Sequence, residues 1–147
     1  MDAAEVSRTI VESFKNVETT KASDNIFFFY ASERHFPFAT LVVNDVNDTA
    51  SDLERPGVFR LNIGVKRATY QNLFGPQPTF AKDGGTIDTG YDYTVLDKLM
   101  PHPVYAPMSW VCIVNPSAKT FDRAVSPLLQ EAYEQDVEKH TKRARDR

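Results

Sequence analysis

Apolar and polar positions alternate along this chain with two distinct periods. In "MDAAEVSRTIVESF", Val6, Ile10 and Phe14 recur every four residues, the spacing of one helix face, and Asp2 is a good N-cap ahead of them. The polar stretch "NVETTKASDN" that follows reads as turns. "IFFFYA", Ile26 to Ala31, is apolar on both sides and reads as a strand. "FPFATLVV" lies only "SERH" away, which predicts a hairpin, with Pro37 at the start of the second strand.

Asn44 to Gly57 is a long polar loop. "VFRLNIGV" then alternates strictly: Phe59, Leu61 and Ile63 point one way, Val58, Arg60 and Asn62 the other. "KRATYQNLFG" reads as a short helix closed by Gly75. The stretch from Pro76 to Tyr93 has two prolines and three glycines; it is expected to be a flexible loop, of the kind that serves as a lid or binding loop. "TVLDKLM" reads as a turn of helix, and "SWVCIVN" as a mid-sheet strand apolar on both faces. Pro116 to Arg147 reads as helix, cut at Pro127, with Ser126 as a cap and Leu128, Ala132 and Val137 facing inward.

The order α-β-β-β-α-loop-β-α, with short early connections, predicts one α+β domain over residues 1–147. Its sheet is mainly antiparallel, of about four to six strands, with N- and C-terminal helices on one face. The length of 147 residues suits a single core. Cys112 is the sole cysteine, which excludes an intramolecular disulfide and fits a reducing, cytoplasmic setting. The first residues lack a basic start and a long apolar run, so no leader is expected. No run of about 18 apolar residues suggests a membrane span.

Charge is unevenly spread. Net charge is −3, yet Lys139 to Arg147 holds five Lys/Arg against one Asp, giving that basic helix end or frayed tail +4 and the remainder −7. So acidic a body disfavours general polyanion binding, and nucleic acid is not an expected partner.

Candidate chemistry is sparse. His35, His102 and His140 lie far apart and no Cys pair exists, so no metal site and no cofactor is expected. "DVNDTAS" begins like a calcium loop at Asp45, Asn47 and Thr49, but Ala50 stands where glycine is needed and Pro56 where the chelating Glu belongs. There is no G-x-S-x-G elbow, and Cys112, between Val111 and Ile113, reads as core. The stiff run "PHPVYAPMSW" places His102 beside Tyr105 and Trp110. With Arg60 and Asn62 on a sheet face opposite the core, these five residues form a candidate site for a small anionic or planar ligand. On that reading His102 sits at an exposed rim and Trp110 in the core. The competing reading is structural: His102 anchors a loop through the backbone and Arg60 pairs with a loop Asp.

The runs "SDLERPGVFRLNIG" and "LMPHPVY", with the later Trp110 and "LLQEAY", resemble a bacterial family known as domain of unknown function 6194, over about Ile26 to Tyr133. That resemblance implies no established reaction and carries over no catalytic residues. "FRLNIG", "SWVCIV" and "LLQEAY" also bear a remoter likeness to MmcQ/YjbR-like proteins, which implies helices on an antiparallel, frataxin-like sheet and a possible DNA-binding role, from which the acidic body departs. Frataxin-like iron handling would need a denser acidic ridge than Asp2, Glu5 and Glu12 supply. The expected function is a non-catalytic binding module, with a homodimer through a sheet face as an expected partner arrangement. The alternatives are an enzyme using His102 as general acid or base, and a DNA binder.

Overall fold

The computed structural model describes residues 1–31 and 36–146; the "SERH" connection and its His35 lie outside them. Helix α1, Ala3–Ser13, begins in a capping box: Asp2 Oδ1 accepts the Glu5 amide at 2.8 Å, and the Glu5 carboxylate reaches back to the Asp2 amide. Strands β1 (Val17–Ala22) and β2 (Asn25–Tyr30) form a hairpin. Strands β3 (Ala39–Val42) and β4 (Arg60–Gly64) follow. Helix α2, Arg67–Phe74, ends at Gly75, whose φ of 84° closes the helix as only glycine does without strain. A two-residue strand β5 (Met100–Pro101) precedes β6 (Trp110–Val114). A short α3 (Ala118–Thr120) and α4 (Ser126–Arg145) complete the chain.

The six strands form one sheet in the order β1-β2-β3-β4-β6-β5, every strand pair antiparallel. This is the α+β arrangement expected from the pattern. Leu41, Leu61, Ile63, Val111 and Ile113 point to one face and bury against Val6 and Ile10 of α1, Tyr70 of α2, and Leu129 and Ala132 of α4. A fully buried side chain of this kind contributes about 1.5–3 kcal/mol.

Four expectations are corrected. The polar stretch after α1 is strand β1; its hairpin turns at Ser23 and Asp24, both at positive φ (50° and 66°), a conformation usually signalled by Asn-Gly. Residues 94–99, expected as a turn of helix, form irregular chain with a parallel bridge from Leu96 to Val114, and Met100 already belongs to β5. Pro127 does not cut the last helix, and Ser126 is helical without a side-chain cap: a π-helical turn over Phe121–Val125, closed by the Ser126 amide on the Phe121 carbonyl, widens the helix where the proline ring would clash. Leu129 and Ala132 are the fully buried residues of α4, and Leu128 packs partly buried against the same core.

Candidate functional site

The face of the sheet that carries Arg60 and Asn62 is not open. Two long loops, residues 44–59 and 76–99, lie over it, and Tyr93, Met100, Cys112 and Val114 form a second small core beneath them with Val58 and Tyr91 at its edge. The glycine-rich loop is docked rather than free. The Ile87 amide donates to the Pro103 carbonyl at 2.8 Å, the Tyr93 hydroxyl donates to the Ile87 carbonyl at 2.7 Å, and the Asp97 amide donates to the Val114 carbonyl at 2.7 Å. Arg55 Nη2 ties the two loops together through the Ser51 and Thr94 carbonyls, both at 3.0 Å.

Strand register explains what lies inside. Thr40, Asn62, Cys112 and Met100 form one cross-strand row, and Arg60 stands between Val42 and Val114 in the next. Arg60 is only 1% exposed, so its charge requires partners. Nη1 and Nη2 clamp the Asp48 carboxylate at 3.0 and 2.8 Å, Nη1 also donates to Ser51 Oγ, and Nε donates to Asn62 Oδ1 at 2.9 Å. The Asn62 amide donates to Thr40 Oγ1 at 2.9 Å. Burial alone would raise the Asp48 pKa, but the hydrogen bonds and charge of Arg60 outweigh it and hold the carboxyl below its ordinary value. Asp48 itself sits in an Asx turn, accepting the Ala50 amide.

His102 is corrected from an exposed rim to a buried position, 4% exposed. Its Nδ1 accepts from the amides of Val104 and Tyr105 at 3.0 and 2.9 Å, which leaves the proton on Nε2. Burial first, then the nearby Arg60 charge, pushes its pKa down to about 3 against the opposing pull of Asp48. The ring is therefore neutral and caps the turn that returns the chain into β6. Tyr105 packs at 5.2 Å between ring centres and remains half exposed; Trp110 lies edge-on at 6.5 Å. Trp110 is half-buried rather than core, with its indole laid on Gly64, where an added Cβ would stand 2.9 Å from the ring. Cys112 is fully buried, its thiol directed at the Pro101 carbonyl, and burial pushes that thiol up to about 12. Among the described residues no three His, Cys, Asp or Glu side chains cluster as metal ligands.

Of the five candidate residues, Arg60 and Asn62 thus join one buried network beside His102, while Tyr105 and Trp110 remain accessible at its edge. A concavity lies elsewhere. A cleft of about 400 Å³ opens between the start of α1 and the loop that leads into β4. Val43, Leu53, Val58 and Phe59 line it together with Asp2, Glu54 and Arg55. A groove of about 190 Å³ is lined by Arg67 and Gln71 of α2 and by Ser109, just before β6.

A family model described as a family of unknown function, DUF6194, matches residues 1–145. The chain belongs to this family. Neither a curated protein nor a solved structure shows a match. The sequence reading of this DUF6194 chain missed Ser51 and the whole cleft. Ser51 gave no pattern at all. The cleft is formed by residues some fifty positions apart, Asp2 against Glu54, which no local periodicity connects. Asp48 was legible in part, because a cation on an alternating strand requires a carboxylate from some loop.

Proposed function

We propose that this protein is a non-catalytic binding module that takes a small amphiphilic molecule in the cleft between α1 and the 44–59 loop. The carrying observation is the cleft itself: about 400 Å³, lined by apolar residues together with Asp2, Glu54 and Arg55, a mixture that small-molecule seats use. The Arg60 face is a poorer seat for an anion, because the guanidinium is already clamped by Asp48. Acid–base catalysis by His102 is disfavoured by the same geometry. Its Nδ1 lone pair is held by two amides and its ring stays neutral, so it has no proton to gain or lose near neutral pH.

DNA binding, the role attached to MmcQ/YjbR-like proteins, has one support: Lys139, Lys142 and Arg145 are exposed along the end of α4. The −7 charge of the remaining chain weighs against it. Among the described residues no helix is long and apolar enough to cross a membrane. A homodimer through a sheet face would find the side of Arg60 and Asn62 covered by the two loops.

Amide chemical-shift mapping of a small-molecule collection tests the reading. Ligands should shift Ala3, Ala4, Leu53 and Val58, and Ala4→Trp, at an exposed position of the first turn, should abolish those shifts while the fold is kept. Hits that instead map to Tyr105–Trp110, or that survive Ala4→Trp, would contradict it.

A further inference from the structure

The 76–99 loop is held more firmly at its two ends than in its middle. Near its start, the Gln77 side chain donates to the Ser109 hydroxyl at 2.9 Å and to the Arg67 carbonyl at 3.2 Å. Near its end, Leu96 bridges to Val114, the Asp97 amide donates to the Val114 carbonyl, and the Asp97 carboxylate takes the Ser117 amide at 2.8 Å. Residues 78–95 lie between these pins. Among the described residues, two hydrogen bonds join that span to the rest of the molecule. The Ile87 amide donates to the Pro103 carbonyl, and Arg55 donates to the Thr94 carbonyl.

The other bonds of the span are its own. The Gly84 amide donates to the Ala81 carbonyl, and the Gly85 and Gly90 amides donate to the Asp83 and Asp88 carboxylates. The Tyr93 hydroxyl bonds Thr89 and the Ile87 carbonyl. None of these is broken when the span leaves the sheet, so it moves as one body, like other compact surface loops packed by their own side chains. Its grip on the sheet is slight. Ile87 and Tyr93 are its only buried residues, at 7% and 6% exposure, with the Tyr91 ring edge-on to Phe74 at 5.7 Å. Few buried apolar groups and few outside bonds mark the segments of a fold that open first. The 44–59 loop is held differently: Ser51, Leu53 and Phe59 are buried in it, and the ion pair of Asp48 with Arg60 clamps it.

We propose that residues 78–95 form a hinged cover that swings off the sheet as one body while the rest of the fold stays closed, uncovering Met100, Cys112 and Val114. With the cover down those three side chains are fully buried and packed with Tyr93. The swing turns on the pins at Gln77 and Leu96. Cys112 is the one cysteine of the chain, so its thiol reports the opening by itself.

The test treats the native full-length chain with an excess of an aromatic disulfide reagent, dithiobis(nitrobenzoate). The Cys112 thiolate attacks the reagent's disulfide, forms a mixed disulfide and releases one thionitrobenzoate, which is read by its absorbance. Without denaturant, labelling should run about tenfold or more faster than global unfolding, followed by circular dichroism, allows. It should change little at low urea, because a local opening exposes little surface. The Ile87 amide should exchange its hydrogen with the same opening constant. Ile87→Ala should speed labelling by about tenfold or more. Leu129→Ala, on the helix side of the sheet, lowers global stability and leaves the cover alone, so labelling without urea should be unchanged. If labelling keeps step with global unfolding in urea, or if both variants speed it equally, the cover does not open by itself and the proposal fails. It fails too if residues 44–59 lose exchange protection with the same opening constant, because the whole loop side then opens together.

Discussion

The two faces of this sheet are closed in opposite ways. On the helix side, Phe28, Leu61, Ile63 and Ile113 meet α1, α2 and α4 in a core made of hydrocarbon. On the loop side, a small apolar patch shares the sheet face with a buried guanidinium, a carboxylate, a side-chain amide and an imidazole. Helices satisfy their own backbone groups and can press a dry surface on a sheet; loops cannot, and each buried amide or carbonyl of a covering loop needs an outside partner. Asn25, Asn44, Asn115 and His102 supply such partners, each bonding backbone groups at a loop end. A sheet face covered by loops thus recruits polar side chains that resemble a functional site while serving as its fastening.

Substitutions on the two faces should therefore fail differently. Asp48→Ala strands the Arg60 charge in the interior and is expected to cost about 3–5 kcal/mol. Phe28→Ala, on the helix side, should cost about the same through its cavity. Hydrogen exchange separates them: the Asp48 variant should lose protection first in residues 44–59 and 76–99, the Phe28 variant in α1 and α4. Equal loss everywhere in both would break the distinction.

In the acid range pH acts on the loop side through His102. The folded-state pKa of His102 is about 3, below its ordinary 6.5. Between those values the unfolded chain binds the additional proton, so the stabilisation is complete above pH 6.5 and drains away as pH falls toward 3. Through that window stability should drop by about 1.4 kcal/mol per pH unit, a slope that His102→Gln should lack in denaturation at pH 6.5 and 5. A smaller effect is expected from Gly64→Ala, which pushes the Trp110 indole off β4 at about 1–3 kcal/mol; Trp110 fluorescence should report the displaced ring. The smallest comes from removing residues 142–147, of which 142–146 are exposed at the end of α4, within about 0.5 kcal/mol. The helix up to His140 should matter more, since that ring packs on Tyr30 at 5.3 Å.

The helix side was largely legible in the sequence. Val6, Ile10, Leu61, Ile63, Val111 and Ile113 follow plain periods of four and two, and periodicity reports which residues share a buried surface. Strand β1 was hidden because an edge strand of mostly half-exposed residues shows little alternation. The loop side was legible in its residues and misleading in its setting. Arg60, Asn62 and His102 do stand together, but alternation says only that they leave the helix core, not whether water or a loop meets them. That the loops fold back over the sheet is decided by Ile87, Tyr93 and Asp48, single residues within irregular segments that no period marks. The cleft was invisible for a related reason, being a product of where α1 and the loop end come together.

The ion pair between Asp48 and Arg60 is the centre of the loop-side network, so a double-mutant cycle on that pair tests it most directly. Asp48→Leu, Arg60→Met and the double variant would be measured by urea denaturation beside the unmodified chain. Each single change is expected to cost about 3–5 kcal/mol, and the double change much less than their sum, because no charge is left buried without its partner. A coupling of about 2 kcal/mol or more is the expected result. Additive losses, with coupling near zero, would show that the pair does not hold the loops to the sheet.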